Sequence, residues 1–274
     1  MSTHVDRSDP GPKVAAHHRS GRGVTRVPYP IGVRTVAVRR REQLTPRMLR
    51  LTLGGPNLAG LHTYHADDHV KIVFPGDDGV LRAPVPNEHD MLDWPRPLPP
   101  TRDYTIRRYD PDGLEVDVDV VVHDGGLASS WAAGAEIGEE VTIAGPPGGK
   151  AFPYTYDHYV LAVDATGLPA VARWLESAPP GVSADVVVET DEPAEHDYPV
   201  PRGERVTVHP LVRGADGSAL AAAVDALPRR PGRTFLFAAG EAGDVKPLRS
   251  WRRGEVDALV TGYWKRGVAG HDDD

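Results

Sequence analysis

The hydrophobic rhythm of the chain changes near its middle. Up to Gly145, apolar residues fall in short runs interleaved with polar ones, the pattern of strands with one buried face. VRTVAVRRR, RMLRLTLGG, HVKIVFP and DYTIRRYDP all read as short strands. The clearest is GLEVDVDVVVH, where Val116, Val118, Val120 and Val122 alternate with Asp117, Asp119 and Val121. One face is apolar and most of the other acidic, as expected of a half-buried antiparallel strand. A short apolar helix is predicted over 127–135, and a further strand at EEVTIAG. Many short strands, frequent turn residues and one helix predict a small antiparallel barrel.

The stretch GPPGGKAFP, 145–153, suits neither a helix interior nor a central strand and reads as a linker. Beyond it, YVLAVDAT, VSADVVVE, RVTVHPLV, TFLFAAG and ALVTGYW read as strands, several of them continuous apolar blocks. They are separated by the helical segments LPAVARWLES, SALAAAVDAL and DVKPLRSWRR. Strands buried on both faces and alternating with helices predict a parallel sheet of Rossmann type. The expected organisation is a mobile polar tail at 1–27, an antiparallel β-barrel at 28–150, an α/β domain at 151–268 and an acidic tail at 269–274.

With 274 residues the chain has room for two such domains. Cysteine is absent, which excludes disulfides, thiolate metal sites and a cysteine nucleophile. The formal charge of −8 argues against nucleic-acid binding, which depends on neutralising phosphate. No apolar run approaches the roughly 20 residues that span a bilayer, and no leader pattern opens the chain, so the expected location is cytoplasmic. One loop, HTYHADDH, gathers His62, His65, Asp67, Asp68 and His69, a composition that could bind a divalent metal but that metal-free loops share.

Against that acidic background the segment TRDYTIRRYD concentrates Arg102, Arg107 and Arg108 around Tyr104 and Thr105. Like charges crowded on a strand cost stability, so an anionic ligand is one explanation and a solvated barrel strand the other. On a strand, Arg102, Tyr104 and Ile106 share one face, and Asp103, Thr105 and Arg107 the other. A guanidinium fork suits a pyrophosphate, and a tyrosine ring suits a flat heterocycle. In the second half, Thr166 and Gly167 sit where a strand hands over to a helix, with Pro169 in its first turn, a place suited to phosphate although no G-x-G-x-x-G is present. Glu189 ends the next strand, where a Rossmann fold reads the ribose, and Gly240 and Glu241 end TFLFAAG at the carboxyl edge of the sheet.

Five ordered motifs carry a resemblance. R-x-Y-T-x-R at 102–107, ahead of the acidic-apolar strand, resembles the flavin motif of siderophore-interacting proteins, which are ferredoxin-reductase-like flavoproteins, and HDGGLASSWA at 123–132 is similar to its companion loop. DATGLPA at 164–170 resembles that family's D-E-T-A-L-P-A, AAGEAGDVKPLR at 238–249 its A-G-E…LR segment, and GYWKRG at 262–267 its terminal G-Y-W-R-x-G. Asp124 and Leu127 replace a glycine and a proline of the flavin loop, Ala165 and Gly167 a glutamate and an alanine, and Asp103 sits as an acid within the arginine cluster.

The resemblance implies a flavin-binding barrel followed by a nicotinamide domain. Arg102 would contact the FAD phosphates, Tyr104 flank the isoalloxazine, Thr105 lie near its reactive nitrogen and Arg107 assist with phosphate. His123, Gly126, Ala128 and Ser129 would complete the FAD site. Asp164, Thr166, Gly167, Gly240 and Glu241 would serve NADPH or NADH. Lys71, with Lys265 and Arg266, would attract an anionic ferric siderophore, and the iron would need no protein ligand. The implied activity is reduction of ferric siderophores to release Fe(II). The alternatives are a reductase of the same fold that passes electrons to a ferredoxin-like protein, and a flavin- or siderophore-binding module without turnover.

Overall fold

The computed structural model describes residues 10–89, 91–251 and 255–271. Helix α1 is Pro10–Ser20, and the strands that follow in chain order are β1 Thr25–Pro28, β2 Val33–Thr45, β3 Met48–Gly54, β4 His69–Val73, β5 Val85–Pro86, β6 Leu92–Asp93, β7 Thr101–Thr105, β8 Arg108–Asp110 and β9 Glu115–Val121. Helix α2, Leu127–Gly134, precedes β10, Glu140–Ala144, and β11, Gly148–Ala151. The second half holds β12 His158–Asp164, α3 Leu168–Ser177, β13 Ala184–Thr190, β14 Val206–Val212, α4 Leu220–Ala226, β15 Thr234–Glu241, α5 Ala242–Val245 and β16 Val256–Trp264.

The chain divides into two compact units. Among the described residues, the first comprises 10–15, Arg26–Gln43 and Leu49–Ala151, and the second Ala16–Thr25, Leu44–Met48 and the chain from Phe152 onward.

The first unit is built on a seven-stranded, barrel-like sheet in the order β7-β4-β10-β2-β3-β9-β8. The β10–β2, β10–β4, β4–β7 and β8–β9 pairs are antiparallel. Its ends are drawn together just after β7, where the Ile106 N–H donates to the Asp68 carbonyl and the Arg107 N–H to the Asp117 carbonyl. The core combines Val36, Leu51, Ile72, Ile106 and the valines of β9 with Ala128 and Ala132 from α2.

Two expectations are corrected here. Residues 10–27 are not a featureless tail: they contain α1 and the start of β1, and Val14 and Val27 pack with Tyr29 and Ala151. So sparse an apolar set leaves no period to read. Met1–Asp9 lie outside the described residues. The acidic face of β9 is not solvated either, since Asp117 and Asp119 are both buried. Asp119 receives a two-pronged bond from Arg50 at 2.7 and 2.8 Å, and Asp117 accepts from the Thr52 hydroxyl at 2.6 Å and from Arg108 at 2.7 Å. Paired charges of this kind tolerate burial that single ones do not.

The second unit carries a five-stranded sheet in the order β14-β13-β12-β15-β16, with every neighbouring pair parallel. The chain runs outward from β12 to β14, then returns to the other side of β12 with β15. That reversal creates a switch point between the carboxyl ends of β12 and β15, where open α/β sheets bind ligands. One face of the sheet packs aromatic rings: Phe152 lies 4.5 Å from Phe235 and 5.9 Å from Trp174 of α3. The opposite face, with Val160, Val187 and Leu236, packs Leu220 and Val224 of α4. The helix expected over DVKPLRSWRR is broken into α5 and a 3-10 turn, Lys246–Ser250, because Pro247 cannot donate to a continuing helix. Arg252 and Arg253 of that expectation, and the last three residues of the acidic tail, lie outside the described residues.

Candidate functional site

In the first unit β7 and α2 carry the residues expected to meet a flavin nucleotide. The strand alternation holds from Arg102, paired with Ile72, to Tyr104, paired with Val70, and stops after Thr105. Ile106 and Arg107 are both buried and do not continue the two faces. The Arg102 guanidinium makes one hydrogen bond among the described residues, to the Thr101 carbonyl at 2.7 Å. Most of its donors are therefore open to an anion. Tyr104 is half-buried against the barrel core, and burial pushes its phenol well above the ordinary value, so the ring is neutral. Thr105 is buried beside it.

The loop before α2 is closed by one residue. Ser129 Oγ accepts from the His123 N–H at 2.6 Å and donates to the His123 carbonyl at 2.7 Å. Gly125 takes a φ of +75°, which the turn needs a glycine to adopt, and a Cβ on Gly126 would displace the exposed His123 ring, 2.5 Å away. Gly126 is the N-cap of α2 and offers no side-chain acceptor, which leaves the first N–H groups of that helix for a phosphate. The Ala128 side chain packs into the barrel core, so its small size serves packing. The His123 side chain is exposed, with Nδ1 3.1 Å from the Asp124 carbonyl oxygen.

Three sequence expectations are revised in this unit. Arg107 is 6% exposed and its N–H closes the barrel seam, so it is not an open fork like Arg102. Arg108 is spent on Asp117, with Asp110 and Glu115 nearby, and explains part of the arginine cluster without a ligand. Lys71 faces Asp103 across the β4–β7 register with Nζ 2.8 Å from its carboxylate, so the acid that interrupts the cluster is the partner of the expected substrate lysine. In the HTYHADDH loop, Asp68 is fully buried and accepts from the Thr63 hydroxyl and the Tyr64 and His65 N–H groups. Among the described residues no group of three His, Asp or Glu side chains is placed to hold a metal.

In the second unit Asp164 organises the switch point. Its Oδ1 accepts from the Thr166 N–H at 2.8 Å and the Thr166 hydroxyl at 2.6 Å, and its Oδ2 from the Glu241 N–H and Trp264 Nε1, both at 2.8 Å. One carboxylate thus joins the ends of β12, β15 and β16. Burial pushes its pKa up, against the pull of these four donors. Gly240, at φ +150°, lies so close that a Cβ would come 2.6 Å from the Asp164 carboxyl carbon. Glu241 accepts from the Arg266 N–H at 3.0 Å and the Asp244 N–H at 2.9 Å. Burial alone would raise its pKa, but those N–H groups and the Arg266 charge hold it below the usual range.

Asp164 therefore acts as an organiser of the carboxyl edge, because the protein itself fills its four acceptor positions, while Glu241 accepts one of these two N–H groups on each oxygen. Gly167 is likewise a packing residue: a Cβ there would meet Val163 Cβ at 2.7 Å, so the strand-to-helix turn needs its bareness and not space for phosphate. Glu189 is buried, accepts from the Ala219 N–H at 2.6 Å and pairs with Arg213 at 2.9 Å, so it does not face a ribose. Arg266 lies over Trp264 at 5.7 Å and 3.5 Å from Asp244, while Lys265 forms a bridge with Val268 in the turn beyond β16. Sequence reasoning missed Trp264 and Arg213; only the GYW motif held a hint of the first.

Comparison with known proteins follows the same division. Residues 37–150 match the siderophore-interacting FAD-binding domain, and residues 156–267 match the siderophore-interacting protein domain. The ferric vibriobactin reductase ViuB of Vibrio cholerae is 31% identical over 239 residues, covering 83% of this chain and 88% of that protein. The NADPH-dependent ferric-chelate reductase of Escherichia coli is 37% identical over 179 residues, covering 63% of this chain and 69% of that protein. A siderophore utilization protein from T. fusca, of known crystal structure, is 35% identical with a TM-score of 0.83, covering 91% of this chain and 99% of that one. With both halves matched in order, on a barrel and a parallel sheet built as that fold requires, the chain belongs to the siderophore-interacting protein family.

Proposed function

We propose that the chain is an FAD-dependent oxidoreductase that uses NADH or NADPH to reduce ferric siderophores, releasing iron as Fe(II). Support comes from the barrel residues. Arg102 has donors to spare and α2 opens without a side-chain cap, a pairing that fits a diphosphate and has no evident purpose in the barrel itself. FAD, when bound, supplies the conversion of a two-electron donor into single-electron steps. The protein's part is to bind, orient and exclude water. Arg102 and the α2 N–H groups hold the phosphates, Tyr104 offers a neutral ring for the flavin to lie against, and the Thr105 hydroxyl is fixed beside it. In the second unit, the Asp164 hub fixes Thr166, Gly240 and Trp264 around the crevice proposed for the nicotinamide nucleotide. The ferric siderophore is the substrate, and Lys71 is the proposed contact for its negative charge. Lys265 and Arg266 are secondary.

The carrying observation is Arg102, and its variant is the test. Losing one charge-assisted contact costs about 1.5–3 kcal/mol, so Arg102→Ala should bind FAD roughly 10- to 100-fold more weakly by calorimetry. Ferric-chelate reduction, followed by trapping Fe(II), should fall in proportion at limiting FAD and recover at high FAD. An unchanged FAD affinity would show that the phosphates lie elsewhere.

A further inference from the structure

A second cluster in the α/β unit is unrelated to the switch point. It lies at the opposite, amino-terminal ends of the parallel strands. His158 opens β12, Ser183 immediately precedes β13, Asp185 is the second residue of β13, and His209 lies on β14. The β12–β13 register pairs Tyr159 with Ala184, which sets the His158 ring between Ser183 and Asp185 on the neighbouring strand. His158 Nε2 is 2.9 Å from Asp185 Oδ2 and His158 Nδ1 is 2.9 Å from Ser183 Oγ. Asp185 also receives His209 Nε2 at 2.9 Å and lies 3.4 Å from Arg230.

The protonation pattern follows from these partners. Asp185 is buried, which alone would raise its pKa, but the bond from His209 and the charge of Arg230 hold it below the usual range. An ionised carboxylate only accepts, so His158 Nε2 carries its proton toward Asp185. Nδ1 is then a bare lone pair facing the Ser183 hydroxyl. Burial keeps His158 neutral by lowering its pKa, against the pull of Asp185, so the ring is available as a base. His158 and Ser183 line a cavity of about 890 Å³, walled by Tyr154, Tyr156 and Pro180 and flanked by Arg205 and Arg230. That volume is in the range of small-molecule sites.

We propose that Ser183, His158 and Asp185 form a second, hydrolytic site that cleaves small carboxylic esters, aryl esters above all. Serine as nucleophile, an imidazole as base and a buried carboxylate fixing its tautomer are recognised by geometry and role whatever the fold, and here Nδ1 takes the part usually played by Nε2. Ser183 Oγ attacks the ester carbonyl carbon and its proton passes to His158 Nδ1. The C–O bond to the alcohol breaks, and the leaving oxygen takes that proton. Water then attacks the acyl-serine, gives a proton to Nδ1, and the acid departs as Ser183 regains its hydrogen. Arg205 and Arg230, which also donate to the Gly181 carbonyl and to Asp185, are the cations of the cavity, Asp157 and Glu204 its acids, and the two tyrosine rings form a wall suited to an aryl group.

The probes are a fluorophosphonate, which traps an activated serine with loss of fluoride, and p-nitrophenyl acetate. Intact-mass and peptide mapping should find one adduct, on Ser183, absent in Ser183→Ala. His158→Gln and Asp185→Asn should slow labelling by roughly 100-fold or more, the usual worth of a positioned base. Hydrolysis of p-nitrophenyl acetate should fall to background in Ser183→Ala, while that variant reduces ferric chelate at the wild-type rate and so reports an intact fold. No adduct on Ser183 in the wild-type protein, or turnover unchanged in Ser183→Ala, overturns the proposal. So does labelling at the original rate in a folded His158 or Asp185 variant.

Discussion

Replacing Asp164 with asparagine tests the hub of the nucleotide crevice with the smallest change. Each carboxylate oxygen serves two donors, so either orientation of an amide turns one acceptor into a donor. The cheaper orientation directs the new NH2 at Thr166, whose hydroxyl can rotate to accept it. The Thr166 N–H is then left without a partner, which costs about 1–3 kcal/mol, and the remaining bonds lose their charge assistance. The variant recovers part of this because the burial that raises the Asp164 pKa no longer opposes a charge. The net loss should be about 2 kcal/mol, or roughly 6–10 °C in the melting temperature of a domain this size. Asp164→Leu orphans all four donors and should cost at least twice as much. Differential scanning calorimetry with saturating FAD would follow the unit that melts earlier. Flavin reduction by NAD(P)H should slow in Asp164→Asn while FAD affinity stays within about twofold, since the FAD groups lie in the first unit. A melting temperature at or above that of the wild-type protein would refute the hub, as would the Leu variant matching the Asn one.

Other expectations concern packing, charge and pH. Gly167→Ala should destabilise the second unit by about 1–3 kcal/mol through its clash with Val163, seen in urea unfolding, and leave FAD binding intact. Asp103→Ala should remove the negative charge beside Lys71 and lower the apparent KM for an anionic ferric chelate, Lys71→Ala should raise it, and both effects should fade in salt as screening shortens to about 10 Å at 0.1 M. A neutral chelate that responds equally would reduce Lys71 to a partner of Asp103. Burial against Tyr154, with His17 adding to the effect, lowers the His18 pKa from 6.5 to about 4. The unfolded chain therefore binds the proton more readily, and the stability from a neutral His18 is present above pH 6.5 and lost as pH falls toward 4. His18→Phe should flatten the melting temperature across that window.

The plan of an antiparallel barrel followed by a parallel sheet was legible because it depends on local pattern: period-two strands in the first half and apolar blocks alternating with helices in the second. What the sequence hid depends on distant partners. The aspartates of β9 alternate like solvent-facing residues, but Arg50 and Thr52 of β3 approach them and make burial affordable. Asp164 reads as a ligand residue at the end of its strand, yet Glu241 and Trp264, its partners 77 and 100 positions away, use its acceptors. Gly167 looked like space for phosphate and is space for Val163. Lys71 and Asp103 stood in separate segments, and only the β4–β7 register joins them. The Ser183–His158–Asp185 cluster was not legible as a motif, because His158 meets Ser183 and Asp185, 25 and 27 positions away, only through the parallel pairing of β12 with β13.

On the proposed function, one chain takes electrons from a nicotinamide and delivers them to a ferric siderophore through bound FAD. Anaerobic stopped-flow spectroscopy of the FAD-loaded protein measures both halves on one sample. Mixing with NADH or NADPH should bleach the flavin band, and a second mixing with a ferric siderophore should restore it while Fe(II) appears in a trapping dye. A flavin that bleaches but stays reduced in the presence of the ferric siderophore, or one that neither nucleotide reduces, would rule out this electron path.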